Sequence, residues 1–213
     1  MADKVRSVKT LELVGGRLCL DWANTASARS GPERYEFLTG YADLLEWSRR
    51  AGILTQRDVR RLERDAARNP GEAAATLDRA IAMRETIYRI FAAIASRQSP
   101  KRADVAGLNA LLAEALSRLQ VQPAEAGFAW QWAWEPRALD VMLWPIVRSA
   151  ADLLTSTDLC RVRQCARRRG CGWLFVDASR NQSRRWCSMS MCGSRVKSSR
   201  YYQRKRAARQ AGT

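Results

Sequence analysis

Cys165-Ala-Arg-Arg-Arg-Gly-Cys171, continued by GWLFVDASRNQSRRW (172–186) and closed by Cys187-Ser-Met-Ser-Met-Cys192, is the stretch that decides how this chain is organised. Its cysteines are spaced C-x5-C-x15-C-x4-C, two close pairs separated by a hairpin's length of chain. A tetrahedral zinc ion needs four soft donors at about 2.3 Å, and each close pair offers two of them at little loop-closure cost. Cys165, Cys171, Cys187 and Cys192 are therefore the candidate ligands of one structural Zn²⁺. Four thiolates leave no open coordination position, so such a metal organises the fold and does no chemistry. The competing readings are unligated buried cysteines or a redox-active thiol set. Cys160 could replace Cys165 as a ligand, but its place at the end of an apolar helix favours simple packing.

Between the pairs, Trp173, Phe175 and Asp177 alternate with Leu174 and Val176 as one strand. Residues 179–183 supply a polar turn, and Arg185-Trp186-Cys187 return as a second strand. After Cys192 a stretch rich in Arg, Lys, Tyr and Ala reads as a helix to about Ala208. Knuckle, hairpin, knuckle and helix together describe a small treble-clef or zinc-ribbon-like finger. With so few aliphatic residues it has no adequate core of its own, and the metal would supply much of its folding free energy.

Outward from the finger, charge is as unevenly placed as cysteine. The 213 residues hold 37 Lys+Arg, 21 Asp+Glu and no histidine, a formal charge of +16. After Asp158 the sole acid is Asp177, against thirteen Lys and Arg from residue 165 onward. A basic module of residues 159–213 thus follows a nearly neutral one of residues 1–158, and nucleic acid is the obvious anionic partner. The missing histidine removes Ser-His-Asp and Cys-His catalysis, HExxH sites and ββα fingers. P-loop, GxGxxG and GxSxG motifs are absent, and no nucleophile–base pair stands out, so an enzyme is not expected. No signal peptide and no membrane span are recognised, and a cytoplasmic location is expected.

The N-terminal part reads as mainly α with a few β-strands, giving an α+β domain. Leu11 and Leu13, the Gly15-Gly16 pair, and Leu18, Leu20 and Trp22 suggest an opening hairpin. Helices are expected after Thr39, from Thr55 (with Asp58 completing a capping box) to Arg68, from Glu72 to Arg97, and from Val105 to Leu119. The inner stripe of the long helix is Leu77, Ile81, Tyr88, Phe91 and Ile94. Phe128, Trp130, Trp132 and Trp134 share one parity, the pattern of a strand with one buried face. A last helix is expected over Arg137–Leu154, with Pro145 kinking it or sitting in its first turn.

CGWLFVDASRNQSRRWCSMSMCGSRVKSSRYYQRKR (171–206) resembles the CGNR zinc finger of bacterial proteins, and LVGGRLCLDWANT (13–25) and WPIVRSAADLLTSTDLCRVRQC (144–165) resemble the ABATE domain that precedes that finger. The resemblance spans essentially the whole chain and implies a stress-induced transcription regulator. The naming tetrapeptide reads Cys192-Gly193-Ser194-Arg195 here, with Ser in place of Asn; either residue can cap the following helix.

The resemblance and the charge pattern together imply a zinc-dependent, DNA-binding transcriptional regulator whose N-terminal domain senses a ligand or mediates assembly; the alternatives are an RNA-binding or ribosome-associated zinc protein and a redox sensor whose thiolates release zinc on oxidation. Arg195, Lys197, Arg200, Arg204 and Arg206 of the terminal helix, with Arg180, Arg184 and Arg185 of the hairpin, are the candidate nucleic-acid contacts. Arginine makes bidentate contacts to phosphate and to guanine edges. Trp186, Tyr201 and Tyr202 would stack on bases if the partner were RNA. Asp21, Trp22, Asn24 and Thr25 form the one polar cluster suggestive of a ligand site, weighed against a capped turn. A homodimer is expected of a regulator reading paired half-sites, although no heptad seam is visible.

Overall fold

The computed structural model describes residues 6–29, 34–135, 138–167 and 170–211, with the side chains of 200, 204 and 206–211 outside that description. At its centre lies a short helix, α1 (Leu18–Ala23), whose Cys19, Leu20, Trp22 and Ala23 are buried. This corrects the hairpin expected over residues 11–22. Apolar residues on nearly every side of a central helix leave no period to separate it from a strand. The glycine pair does make a turn: Gly16 has φ +74°, and a Cβ on Gly15 would lie 2.8 Å from the Asp21 backbone nitrogen. Asp21, in the first turn of α1, accepts the Gly15 N–H at 2.7 Å and so ties the turn to the helix.

Two short strands, β1 (Ala26–Ser27) and β2 (Tyr35–Glu36), pair antiparallel after α1. Helix α2 (Tyr41–Arg50) stops at Gly52, whose φ is +76°. Helix α3 (Gln56–Arg68) starts at the expected capping box, with Thr55 accepting from Asp58 N and Asp58 accepting from Thr55 N. Asn69 ends α3, and Pro70 opens the long helix α4 (Pro70–Ala95) at its first position, where a missing N–H costs nothing. Its buried stripe is rotated from expectation. Thr76, Ala80, Met83, Ile87, Ile90 and Phe91 are buried, while Leu77, Ile81, Tyr88 and Ile94 flank them half-buried. This face packs against α1, α2, α3 and α5, with small Ala73, Thr76 and Ala80 in its first half and larger Met83, Ile87, Ile90 and Phe91 in its second.

Helix α5 (Arg102–Leu116) ends earlier than expected, because Leu119 begins a strand. That strand, β3 (Leu119–Ala124), pairs antiparallel with β4 (Gly127–Trp132) around a tight turn. The parity of the aromatic row is as expected, but its burial is not. Trp132 and Trp134 are half-buried, whereas Phe128 and Trp130 are exposed. The hairpin runs off the helical body with no second sheet to cover it. Helix α6 (Leu143–Leu154) holds Pro145 in its first turn and buries Leu143, Ile146, Val147 and Leu153 against α1 and α5. Pro136 and Arg137, from which a longer helix was expected, lie outside the described residues.

The finger does not sit apart from this body. Strand β5 (Val162–Gln164) pairs antiparallel with β6 (Leu174–Val176), and both pack on α4, with β6 also on α1. All of Leu174, Phe175 and Val176 are buried, and one contiguous apolar core joins the helices to the four clustered cysteines. This corrects the expected hairpin partner. The strand after Cys171 pairs with the segment before Cys165, and Arg185 contributes only its carbonyl, to Ala166 N at 2.9 Å.

Candidate metal centre and basic surface

The β5–β6 hairpin carries the first cysteine pair in its long turn, with Cys165 N donating to Trp173 O at 2.8 Å. Asp177 then reverses the chain toward the second pair. Its buried carboxylate accepts from Ser179 N, Ser179 Oγ and Arg184 N at 2.9, 2.6 and 2.9 Å. Burial alone would raise this carboxyl, but those hydrogen bonds outweigh it and hold it below the ordinary aspartate range. Cys187 leads into a π-type turn over Met189–Gly193, in which Ser188 accepts from Met191 N and both Cys192 N and Gly193 N bond Ser188 O.

These local devices converge four sulfur atoms. The Sγ atoms of Cys165, Cys171, Cys187 and Cys192 lie within 4.8 Å of one another, all four residues buried, and Cys187 is 3.6 Å from both Cys171 and Cys192. A tetrahedral ion with ~2.3 Å zinc–sulfur bonds has edges of about 3.8 Å, so one structural Zn²⁺ fits this donor set. The thiols alone share protons unevenly. Cys165 is drawn far below an ordinary thiol by hydrogen bonding from Cys171, and Cys171 and Cys187 are pushed far above it by bonding to Cys165. A divalent cation resolves that conflict by letting all four ionise. Cys160 is exposed, bonds Thr157 O and stands outside the cluster.

Helix α7 (Ser194–Ala211) grows directly out of the π-type turn and packs chiefly against it. Its 18 residues span about 27 Å. Ser194 does not cap it as expected: its hydroxyl donates to Met189 O at 3.1 Å, closing the turn instead. Arg180, Arg185, Arg195 and Lys197 are exposed, and among the described residues none has an acidic partner. The side chains of Arg200, Arg204 and Arg206 lie outside the described residues. Arg184 differs from the others. Its guanidinium bonds the carbonyls of Val14, Trp186 and Cys187 and lies 4.2 Å over the Phe175 ring. Because Asp177 is buried, no described residue beyond Asp158 exposes a carboxylate.

In the N-terminal polar cluster, Asp21, Asn24 and Thr25 are spent on protein partners, while the buried Trp22 Nε1 has none among the described residues. Asn24 Nδ2 donates to Leu174 O and Asn24 Oδ1 accepts from Leu174 N, both at 2.8 Å. Trp22 meets Trp47 edge-on at 4.9 Å, and Thr25 donates to Trp22 O while accepting from Arg84. Burial pushes the Asp21 carboxyl up to about 6, against the pull of the Gly15 N–H.

The first knuckle is held by a clamp that no sequence signal marks. Trp173 Nε1 donates to Ala26 O, Ala28 N to Cys171 O, and Tyr88 OH to Gly172 O. Behind it, Arg29 stacks 3.5 Å over Tyr88 and pairs with Glu85, which also holds Arg84, and Arg84 grips Glu36 with both terminal nitrogens. Arg84, Glu85 and Tyr88 are neighbours on α4, but their partners Glu36, Arg29 and Gly172 lie far away in sequence, and no spacing rule links them.

Residues 16–157 match the family described as "Putative stress-induced transcription regulator", ABATE. The chain belongs to the ABATE family. Residues 161–205 match the CGNR zinc finger, in the order expected, and that match contains all four clustered cysteines. No protein of curated function matches the chain. An ABATE body therefore carries a CGNR finger whose donors are set for zinc. Among the described residues no helix is long and apolar enough to cross a membrane.

Proposed function

We propose that this ABATE protein is a zinc-dependent transcriptional regulator whose finger binds duplex DNA. The observation that carries the reading is the finger's surface: exposed Arg180, Arg185, Arg195 and Lys197 beside a long helix, with the lone local carboxylate buried. Such a surface is stabilised by phosphates, and a helix of this length suits a major groove. Arg195 and Lys197 lie at the start of α7, near base edges in such a docking. Arg200, the next cation along the helix, joins them as a base-edge candidate, and Arg204 and Arg206 are the candidates for phosphate contacts. Arg184 serves the reading from within, by fixing the second knuckle.

The ABATE body acts as the regulator's lever. Of the cluster Asp21, Trp22, Asn24 and Thr25, Asn24 holds the finger's strand directly at Leu174, and Asp21 fixes the Gly15 turn whose carbonyl accepts from Val176 N, so an effector acting on this region would reach the metal knuckle through Leu174 and Cys171. The protein works by binding and needs no catalytic group.

Selection of bound duplexes from a random pool, competed with structured RNA, tests the reading. Enrichment of a duplex motif that RNA does not displace is the expected result. Preference for RNA by orders of magnitude would transfer the role to an RNA-binding protein using the exposed Tyr201–Tyr202 pair.

A further inference from the structure

We propose that the outer face of the β3–β4 hairpin is the surface through which two copies of this chain pair. The register sets Leu119, Val121 and Pro123 opposite Trp132, Trp130 and Phe128, so one face of the ribbon is entirely apolar. Gln120, Gln122, Ala129 and Gln131 occupy the other face. At the base of the apolar face, Trp132 packs beside Trp144 with ring centres 6.0 Å apart. Farther out the face is bare: Phe128 is 77% exposed, Trp130 61% and Val121 54%, with Leu116 44% exposed at the end of α5. A two-stranded ribbon is marginal in water without something on its apolar face.

Charge favours a second copy as the occupant. A chain of net +16 repels its own kind over most of its surface. Residues 119–136 form its longest run without Lys or Arg, and they include Glu125 and Glu135. The nearest cations are compensated: Arg118 pairs with Glu135, and Arg148 pairs with Asp152 and stands over the Trp130 ring. The hairpin is therefore the place where two such chains meet without stacking positive charge. The same lack of cations makes it a poor seat for nucleic acid.

Area supports the pairing. With aromatic side chains of ~150–250 Å² each, the exposed apolar surface comes to about 400 Å² per copy. An interface is roughly 60–65% apolar, so a pair would bury ~1,300 Å² in all. Stable complexes bury about 1,200–2,000 Å², which puts this one at the small end of that range. A two-fold axis would set aromatic against aromatic, the same residues serving both copies.

The pairing stands independently of DNA binding and is tested without DNA. Sedimentation equilibrium of the zinc-loaded full chain, stripped of nucleic acid, should show a reversible dimer. Phe128→Glu and Trp130→Glu, at exposed positions, should each weaken it by ~30-fold or more. Gln131→Glu, on the opposite face of the same strand, should leave it intact. Amide exchange in residues 119–132 of the unmodified chain should slow as concentration rises. A chain that stays monomeric at ~100 μM would overturn the proposal. So would a dimer indifferent to Trp130→Glu, or one whose concentration-dependent protection falls elsewhere.

Discussion

The side-chain amide of Asn24 pairs with both backbone groups of Leu174, donating to its carbonyl and accepting from its N–H at 2.8 Å each. In effect the ABATE body supplies one rung of a β-ladder to the finger's buried strand. Both partners are buried, so neither backbone group has water to fall back on.

Asn24→Ala should therefore cost about 2–4 kcal/mol, more than one exposed hydrogen bond, because it strands two buried backbone groups. Urea unfolding followed by tryptophan fluorescence measures the loss. Zinc should also leave the variant faster under chelator, since Leu174 lies three residues past Cys171.

Thiol replacement separates the ligands from the bystander. Cys187→Ser should abolish stoichiometric zinc and loosen residues 162–193, because the donor set is left open. Cys160→Ser should retain one zinc per chain, its sulfur being exposed and outside the cluster. Metal analysis after gel filtration distinguishes the two.

Asp21 gives the fold a specific pH signature. Its folded carboxyl titrates near 6, above the ordinary aspartate value of about 3.9. Between those values the folded chain binds more protons than the unfolded one, so this group's contribution to stability falls as pH rises through the window. Asp21→Asn keeps the oxygen that accepts from Gly15 and removes the buried charge. The variant should gain up to ~2 kcal/mol above pH 6 and little below pH 4, measured as unfolding free energy against pH.

Two arginines in one short loop should behave differently. Arg184→Ala removes three carbonyl contacts at the second knuckle and should lower stability by about 1–3 kcal/mol with the nucleic acid absent. Arg180→Ala should leave unfolding unchanged. It should instead reduce the dependence of log K on log salt by about 0.9, the signature of one phosphate contact.

Much of this was legible in sequence because the signals are local. The cysteine spacing announces the metal centre, Thr55 and Asp58 announce α3, and Gly52 announces the end of α2. Errors arose where burial depends on distant partners. Leu18, Leu20 and Trp22 alternate as a strand would, yet form a helix sunk in the core. The aromatic row of β4 has the parity of a buried face, but nothing in the chain covers its outer half. Val176 and Leu174 pair with Val162 and Gln164 because Asp177 turns the chain away from its expected partner. The knuckle clamp depends on Ala26, Ala28 and Tyr88, which reach Trp173, Cys171 and Gly172 from far away in sequence. Arg184 reads in sequence as one more surface cation, but three backbone carbonyls from distant or adjacent turns surround it.

The central claim joins the zinc centre to nucleic-acid binding through α7. Its most direct test is the affinity of the full chain for a selected duplex, measured zinc-loaded, after chelation, and after zinc is restored. Tight, salt-dependent binding that disappears with the metal and returns with it is the predicted result. Binding of equal strength after the metal has been removed would contradict the account.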